Sequence, residues 1–203
     1  RITADRLRAY VQWMQGHGLA STTLVSRVTD LREAIRVMDP DADLTLIQKM
    51  ISALQARAAP SRNKHSRIMH PETLLAGVIE EFTAIADRPA DNPKIKASWH
   101  RDALIFAILV CRPIRLKNIA GLRLGIHLID KDPGWDCHLA AEETKEKVPL
   151  SFSLPEVIEP FLSVYLERYR PLLLDGNQDD HLWISIRRTP LSMQSIYLNI
   201  CGL

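Results

Sequence analysis

Cysteine is scarce in this chain. The three present, Cys111, Cys137 and Cys201, form no C-x-x-C pair. That excludes a disulfide framework or a cysteine-held structural zinc and fits a reducing, cytoplasmic setting. Cys111 and Cys137 are expected to be inert core residues. Long apolar runs are also missing. None reaches the ~18 residues that a membrane helix needs, so no membrane partner is expected. No signal-peptide pattern opens the chain, which begins on a polar helix. An excess of one charge is lacking: 26 basic side chains face 24 acidic ones, a net +2. Bulk charge therefore does not point to a polyanion. There is no H-E-x-x-H spacing, no carboxylate cluster, no internal repeat and no low-complexity tract. The expectation is no metal and no small-molecule cofactor.

What is present is a chain of 203 residues, 46% apolar, long enough for one large domain or two small ones. Its first third reads as a helical unit. Thr3 can cap a helix whose apolar face is Leu7, Tyr10, Val11 and Met14, ended by Gly16 and Gly18. Ser21 is read as the cap of a second helix, on which Leu24, Val28, Leu31, Ile35 and Met38 form a stripe stopped at Pro40. Asp43 starts a third, through about Ala58, with Leu46, Ile47, Met50, Ile51 and Leu54 inward. From Arg57 to His70 the chain reads RAAPSRNKHSRIMH, with four Arg/Lys and no acid. Pro60, small residues and the loss of periodicity mark a basic linker.

Beyond it Pro71 opens a helix to about Asp87, and another covers about Lys94 to Cys111. The continuously apolar run Leu104 to Val110 predicts that this helix is buried on all sides. A short helix follows from Arg115 to Leu122. Strand-like pieces come next, at Ile126–Ile129, Trp135–Leu139 and Val148–Leu154, the first two joined by a turn at Lys131-Asp-Pro-Gly134. Pro155 is read as the start of an amphipathic helix bearing Val157, Ile158, Phe161, Leu162 and Tyr165. A last helix begins after Pro190 with Ser192 as its cap. The fold class expected is mainly α with a small antiparallel β-sheet.

Two basic positions carry the chemistry in this layout. CRPIRLKNIAGL, Cys111 to Leu122, is an apolar helix that breaks at Pro113 and restarts at Arg115. TKEKVPLSFSLP, Thr144 to Pro155, is a lysine-bearing turn that leads into a strand. Arginine offers a planar fork of donors with a permanent charge, and lysine a mobile charge that can give up a proton. An arginine and a lysine held together on rigid elements could grip one phosphate. Either alone is an ordinary surface residue.

The element order and these segments resemble the tyrosine recombinases, or phage integrases. AILVCRPIRLKNIAGLRLGIHLI is similar to the family's first catalytic-arginine box and puts that arginine on Arg115 rather than Arg112. The common acid three positions later is Asn118 here. AEETKEKVPLSFSLP is similar to the β-hairpin box and puts the family lysine on Lys145, with Lys147 as the alternative. HLWISIRRTPLSMQSIYLNI resembles the strand, turn and helix that precede the second arginine box. The resemblance implies an N-terminal helical, SAM-like core-binding domain over residues 1–58 and a basic linker over 59–70. A partial α+β tyrosine-recombinase catalytic domain would occupy 71–203. It implies a site-specific recombinase of mobile elements, an integrase that cuts and rejoins double-stranded DNA through a covalent 3′-phosphotyrosine. Such a protein would self-associate on DNA as a dimer to tetramer and be nucleoid-associated. On the same resemblance Arg115 would stabilise charge on the pentacoordinate phosphate and Lys145 would protonate the departing 5′ oxygen.

No histidine in the sequence has an arginine three residues on. The four tyrosines, Tyr10, Tyr165, Tyr169 and Tyr197, precede the place where the family's His-x-x-Arg box should begin. Tyr197 is read as a packing residue. The sequence therefore carries part of an active site and is expected to be inactive by itself. Thr22, Thr23, Ser26 and Arg27, on the second helix, could meet phosphates or the major groove, though small polar residues also crowd helix starts for capping reasons. Arg62, Lys64 and Arg67 in the linker could neutralise phosphates, or could belong to a solvated loop. Arg187 and Arg188 are read as a turn near the site that could contact the DNA backbone. Three function classes stay open: a recombinase, a non-catalytic DNA-binding protein of the same fold, and a helical protein–protein adaptor in which Arg115 merely pairs with a carboxylate.

Overall fold

A computed structural model describes residues 3–60 and 68–201. The chain forms two compact units, Arg1–Ile68 and Met69–Leu203. The first contains three helices: α1 (Ala4–Gly16), α2 (Ser21–Met38) and α3 (Thr45–Arg57). The Thr3 hydroxyl accepts from the Arg6 amide at 3.3 Å and starts α1. Leu7, Val11, Met14, Leu24, Val28, Ile47 and Ile51 make the core, with Leu31, Ile35, Met50 and Leu54 packed against it. Three expectations need correction here: Leu46, read as inward, is exposed on α3 and outside the core, and two more concern α2. Ser21 is not a cap: its hydroxyl donates to the Ala59 carbonyl and accepts from the Ala59 amide, tying the start of α2 to the end of α3. Met38 is 83% exposed, because the buried part of the stripe ends one turn earlier at Ile35.

The second unit is mainly helical with one three-stranded antiparallel sheet. Its elements are α4 (Pro71–Asp87), α5 (Pro93–Cys111), α6 (Leu116–Ala120), β1 (Leu128–Asp130), β2 (Trp135–Leu139) and β3 (Leu150–Ser153). They are followed by α7 (Glu159–Val164), a π-helical turn (Tyr165–Tyr169), α8 (Arg170–Leu174) and α9 (Met193–Cys201). Asn92 caps α5, its side chain accepting from the Lys94 amide. Leu104, Ile105, Ala107 and Ile108 are all buried, since α4, α8, α9 and the π-helical turn pack around α5. The Trp183 indole donates to the Ile119 carbonyl at 2.8 Å and the Tyr165 hydroxyl to the Leu182 carbonyl at 3.0 Å. These bonds fix the 182–184 segment beside α6 and the π-helical turn.

The sheet runs in the order β1-β2-β3, with Leu128 opposite Cys137 and Cys137 opposite Phe152. The Asp132–Pro133 peptide is cis, and Gly134 takes φ +96° at the turn. A side chain at Gly134 would meet the Glu159 carboxylate at 2.8 Å. The first strand begins two residues later than its apolar pattern suggests, and Ile126 is 51% exposed. Pro155 does not open a helix. Leu154 is still bonded to Trp135 as extended chain, residues 155–158 form a turn, and the helix starts at Glu159. Ser192 does cap α9, accepting from the Ser195 amide at 3.1 Å.

Candidate phosphate-binding site

The site is built where α5 stops. Pro113 has no amide to continue the helix, and Ile114 bonds back to the Arg112 carbonyl at 2.7 Å. Arg115 then occupies the cap position of α6 in extended geometry. Its carbonyl accepts from the Asn118 and Ile119 amides at 2.9 and 3.0 Å. Because Ile119 is fully buried, the Arg115 backbone is fixed while its guanidinium stays half exposed. Arg112 instead lies over the Phe152 ring.

Facing Arg115 is the loop between β2 and β3. Thr144 closes it: its hydroxyl accepts from the Val148 amide at 3.1 Å and lies 2.8 Å from the Val148 carbonyl. Glu143 anchors its base, accepting from the Ala140 amide at 2.8 Å and from His127 Nε2 at 2.9 Å. Since the Arg123 amide donates to His127 Nδ1 at 3.0 Å, the ring is the tautomer with its proton on Nε2. The Ala140 amide, foremost, and His127 and Lys117 hold the Glu143 carboxyl below its ordinary value, against an opposing effect of burial.

Between Thr144 and Val148 stand Lys145, Glu146 and Lys147, all exposed. Lys147 has φ +51°, a left-handed conformation that costs a non-glycine residue about 1–2 kcal/mol. Arg115 Nη2 donates to Glu146 Oε1 at 3.1 Å. Arg115, Asn118, Ile114, Thr144, Glu146 and Val148 line a cavity of about 460 Å³. Arg115 and the lysine-bearing turn are thus brought together, and the direct link is Glu146, which the sequence analysis did not single out. Lys145 and Lys147 do not line the cavity.

The other residues singled out lie elsewhere. Thr22, Ser26 and Arg27 are exposed on α2 and Thr23 is half-buried. Arg62, Lys64 and Arg67 lie outside the described residues. Arg187 is exposed in the turn that closes between Ser185 and Thr189. Arg188, at φ +68°, pairs with Asp175 at 2.5 Å, and Asp175 also bonds Lys94 in the first turn of α5. Arg115 follows the last turn of that 19-residue helix, about 28 Å long at 1.5 Å per residue. The 187–188 turn is therefore at the far end of α5 from Arg115, not near it. Tyr197 is not a packing residue, being 55% exposed on α9. Burial pushes the Cys137 thiol up to about 11, aided by Glu143, which fits an unreactive core residue.

One carboxylate cluster does exist. Ligand-type atoms of Asp179, Asp180 and His181 lie within 4.8 Å of one another. Their adjacency in the chain was the available signal. Arg123 Nε lies 3.1 Å from Asp180 without the alignment of a hydrogen bond, and Arg170 donates to the Asp179 and His181 carbonyls. Within the group itself His181 Nδ1 and Asp179 Oδ1 lie 2.7 Å apart, and Asp180 faces Arg123, so both carboxylates already have partners.

No helix among the described residues is long and apolar enough to cross a membrane. No protein-family model matches the sequence, and no curated protein matches it.

Proposed function

We propose that this chain binds double-stranded DNA and holds one phosphodiester between Arg115 and the turn bearing Lys145, as part of a tyrosine-recombinase-type site-specific integrase. The observation that carries the reading is the Arg115–Glu146 contact. An anionic oxygen already sits on the arginine's fork, supplied by the loop on which the lysine stands. A phosphate oxygen has the same charge and acceptor geometry. In this reading Arg115 neutralises the non-bridging oxygens as charge grows on phosphorus, and Lys145 delivers a proton to the leaving 5′ oxygen. The fixed backbone of Arg115 and the bonded Thr144 loop are what such a site needs, because charge stabilisation depends on groups held in place before reaction.

A second reading, a protein–protein adaptor, is favoured by the same contact taken at face value, as an ion pair between two exposed side chains. The two separate on one measurement. Fluorescence anisotropy with a labelled 30-base-pair duplex should show binding at low salt, with log K falling linearly in log salt. Absence of binding at low salt would remove the DNA reading and leave the adaptor.

A further inference from the structure

We infer that Glu146 is a tethered stand-in for the DNA phosphate, a carboxylate that closes Arg115's fork until a phosphodiester displaces it. The inference rests on the reading of Arg115 as a phosphate ligand and adds how that ligand is kept. Three features support it. The contact joins one guanidinium nitrogen to one carboxylate oxygen at 3.1 Å, with both side chains exposed, 50% and 73%. Such a pair contributes about 0.2–1 kcal/mol, enough to occupy the fork and weak enough to be exchanged. The loop carrying Glu146 is held by side-chain bonds at Thr144 and Glu143 that do not involve Glu146 itself. The carboxylate can therefore swing away while the turn keeps its shape.

The flanking residues, Lys145 and Lys147, are both cationic and exposed. With Glu146 withdrawn from Arg115, the guanidinium is left without its carboxylate at the cavity, and the turn beside it carries two exposed lysines and no other acid between Thr144 and Val148. A lone phosphate ion gains little by making that exchange. A duplex that delivers several phosphates at once gains contacts elsewhere that offset the loss of the internal pair. The gate thus selects polymeric phosphodiester over small anions.

The test uses the whole chain and the same 30-base-pair duplex, with circular dichroism to confirm folding of each variant. Glu146→Gln should tighten binding about two- to five-fold, the equivalent of the exposed pair. Glu142→Gln, an equal charge change at an exposed position beside the same loop, should give a smaller gain. In an Arg115→Ala background, Glu146→Gln should give no gain beyond that control. Equal gains from Glu146→Gln and Glu142→Gln would overturn the gate, since bulk charge would explain both. So would a gain in Arg115→Ala that exceeds the Glu142 control, or no gain at all. Arg115→Ala by itself tests the underlying reading: it should weaken binding and lower the salt slope by about 0.9. Unchanged affinity and slope in that variant would remove the phosphate ligand, whatever Glu146 does.

Discussion

Replacing Asp102 with alanine should destabilise the second unit more than any surface change near Arg115. Asp102 sits in the middle of α5 beside Arg101, whose side chain is 3% exposed. Its carboxylate accepts from Arg101 Nε at 2.9 Å and from the side-chain Nδ2 of Asn199 on α9 at 2.9 Å, and it lies 2.7 Å from Arg101 Nη2. After Asp102→Ala, Arg101 keeps only the Ile184 carbonyl, at 2.7 Å. Removing one partner of a buried pair strands the other charge and costs about 3–5 kcal/mol. For a unit of this size that lowers the melting temperature by on the order of 10 °C. Urea unfolding monitored by tryptophan fluorescence gives the free energy, and hydrogen exchange of the α9 amides gives its place, since Asn199 loses its anchor. Converting both partners, Arg101→Met with Asp102→Leu, removes the stranded charge and should recover most of the loss. A cost below ~1 kcal/mol for Asp102→Ala would refute the assignment of a buried, mutually dependent pair. Equal losses in the single and double variants would do the same.

Burial raises the Asp102 pKa above its ordinary 3.8, outweighing the opposing Arg101 and Asn199. The folded chain therefore keeps this proton longer than the unfolded chain does, and the site's contribution is full in acid and falls as pH rises from ~4 through the raised value. Wild type measured against Asp102→Asn by urea unfolding should lose relative stability over that window, and a difference that grows with pH would contradict the sign. Alanine at Arg62, Lys64 and Arg67 together should weaken binding to every duplex sequence and flatten the salt slope by about 0.9 per lost contact, and an unchanged slope would exclude the linker. In a chain that also carries the tyrosine and His-x-x-Arg box the resemblance implies, the cleavage defect of Lys145→Ala should be largely rescued by a 5′-sulfur leaving group, and that of Arg115→Ala should not; equal rescue would show that Lys145 is not the acid.

The helices were legible wherever punctuation and period agreed. Pro71 at the first position of α4 marks a start through local chemistry that tertiary packing does not alter, and α5 begins one residue before the expected Lys94, at Pro93. The apolar run was right for Leu104, Ile105, Ala107 and Ile108, which are buried, but Phe106, Leu109 and Val110 are only half-buried, so the helix is not enclosed on every side. Two of the misreadings, at Ser21 and Pro155, share a different cause. Ser21 has the right residue type for a cap, but its hydroxyl found a partner 38 residues away, at Ala59. Pro155 can begin a helix, yet the preceding residue was still committed to the sheet through its bond to Trp135. In both places a long-range bond overrode a local preference, and single-residue propensities carry no information about such bonds.

The site divides along the same line. Arg115 was legible because Pro113 breaks α5 at a fixed distance before it, and the arginine's place then follows from backbone geometry alone. The lysine turn was legible as a turn. What joins them was not. Whether Lys145, Glu146 or Lys147 reaches Arg115 depends on how a five-residue loop is closed, and the closure is set by Thr144 bonding both polar groups of Val148. The His127–Glu143 bond that pins the loop's base spans 16 residues and two elements, and needs the β1–β2 pairing to exist first. A residue at the end of a rigid helix can be placed from sequence. A residue in a loop is placed by the partners that close the loop, and here those partners put a carboxylate on the arginine. That is why the acidic residue between two lysines, and neither lysine, is the one that meets Arg115.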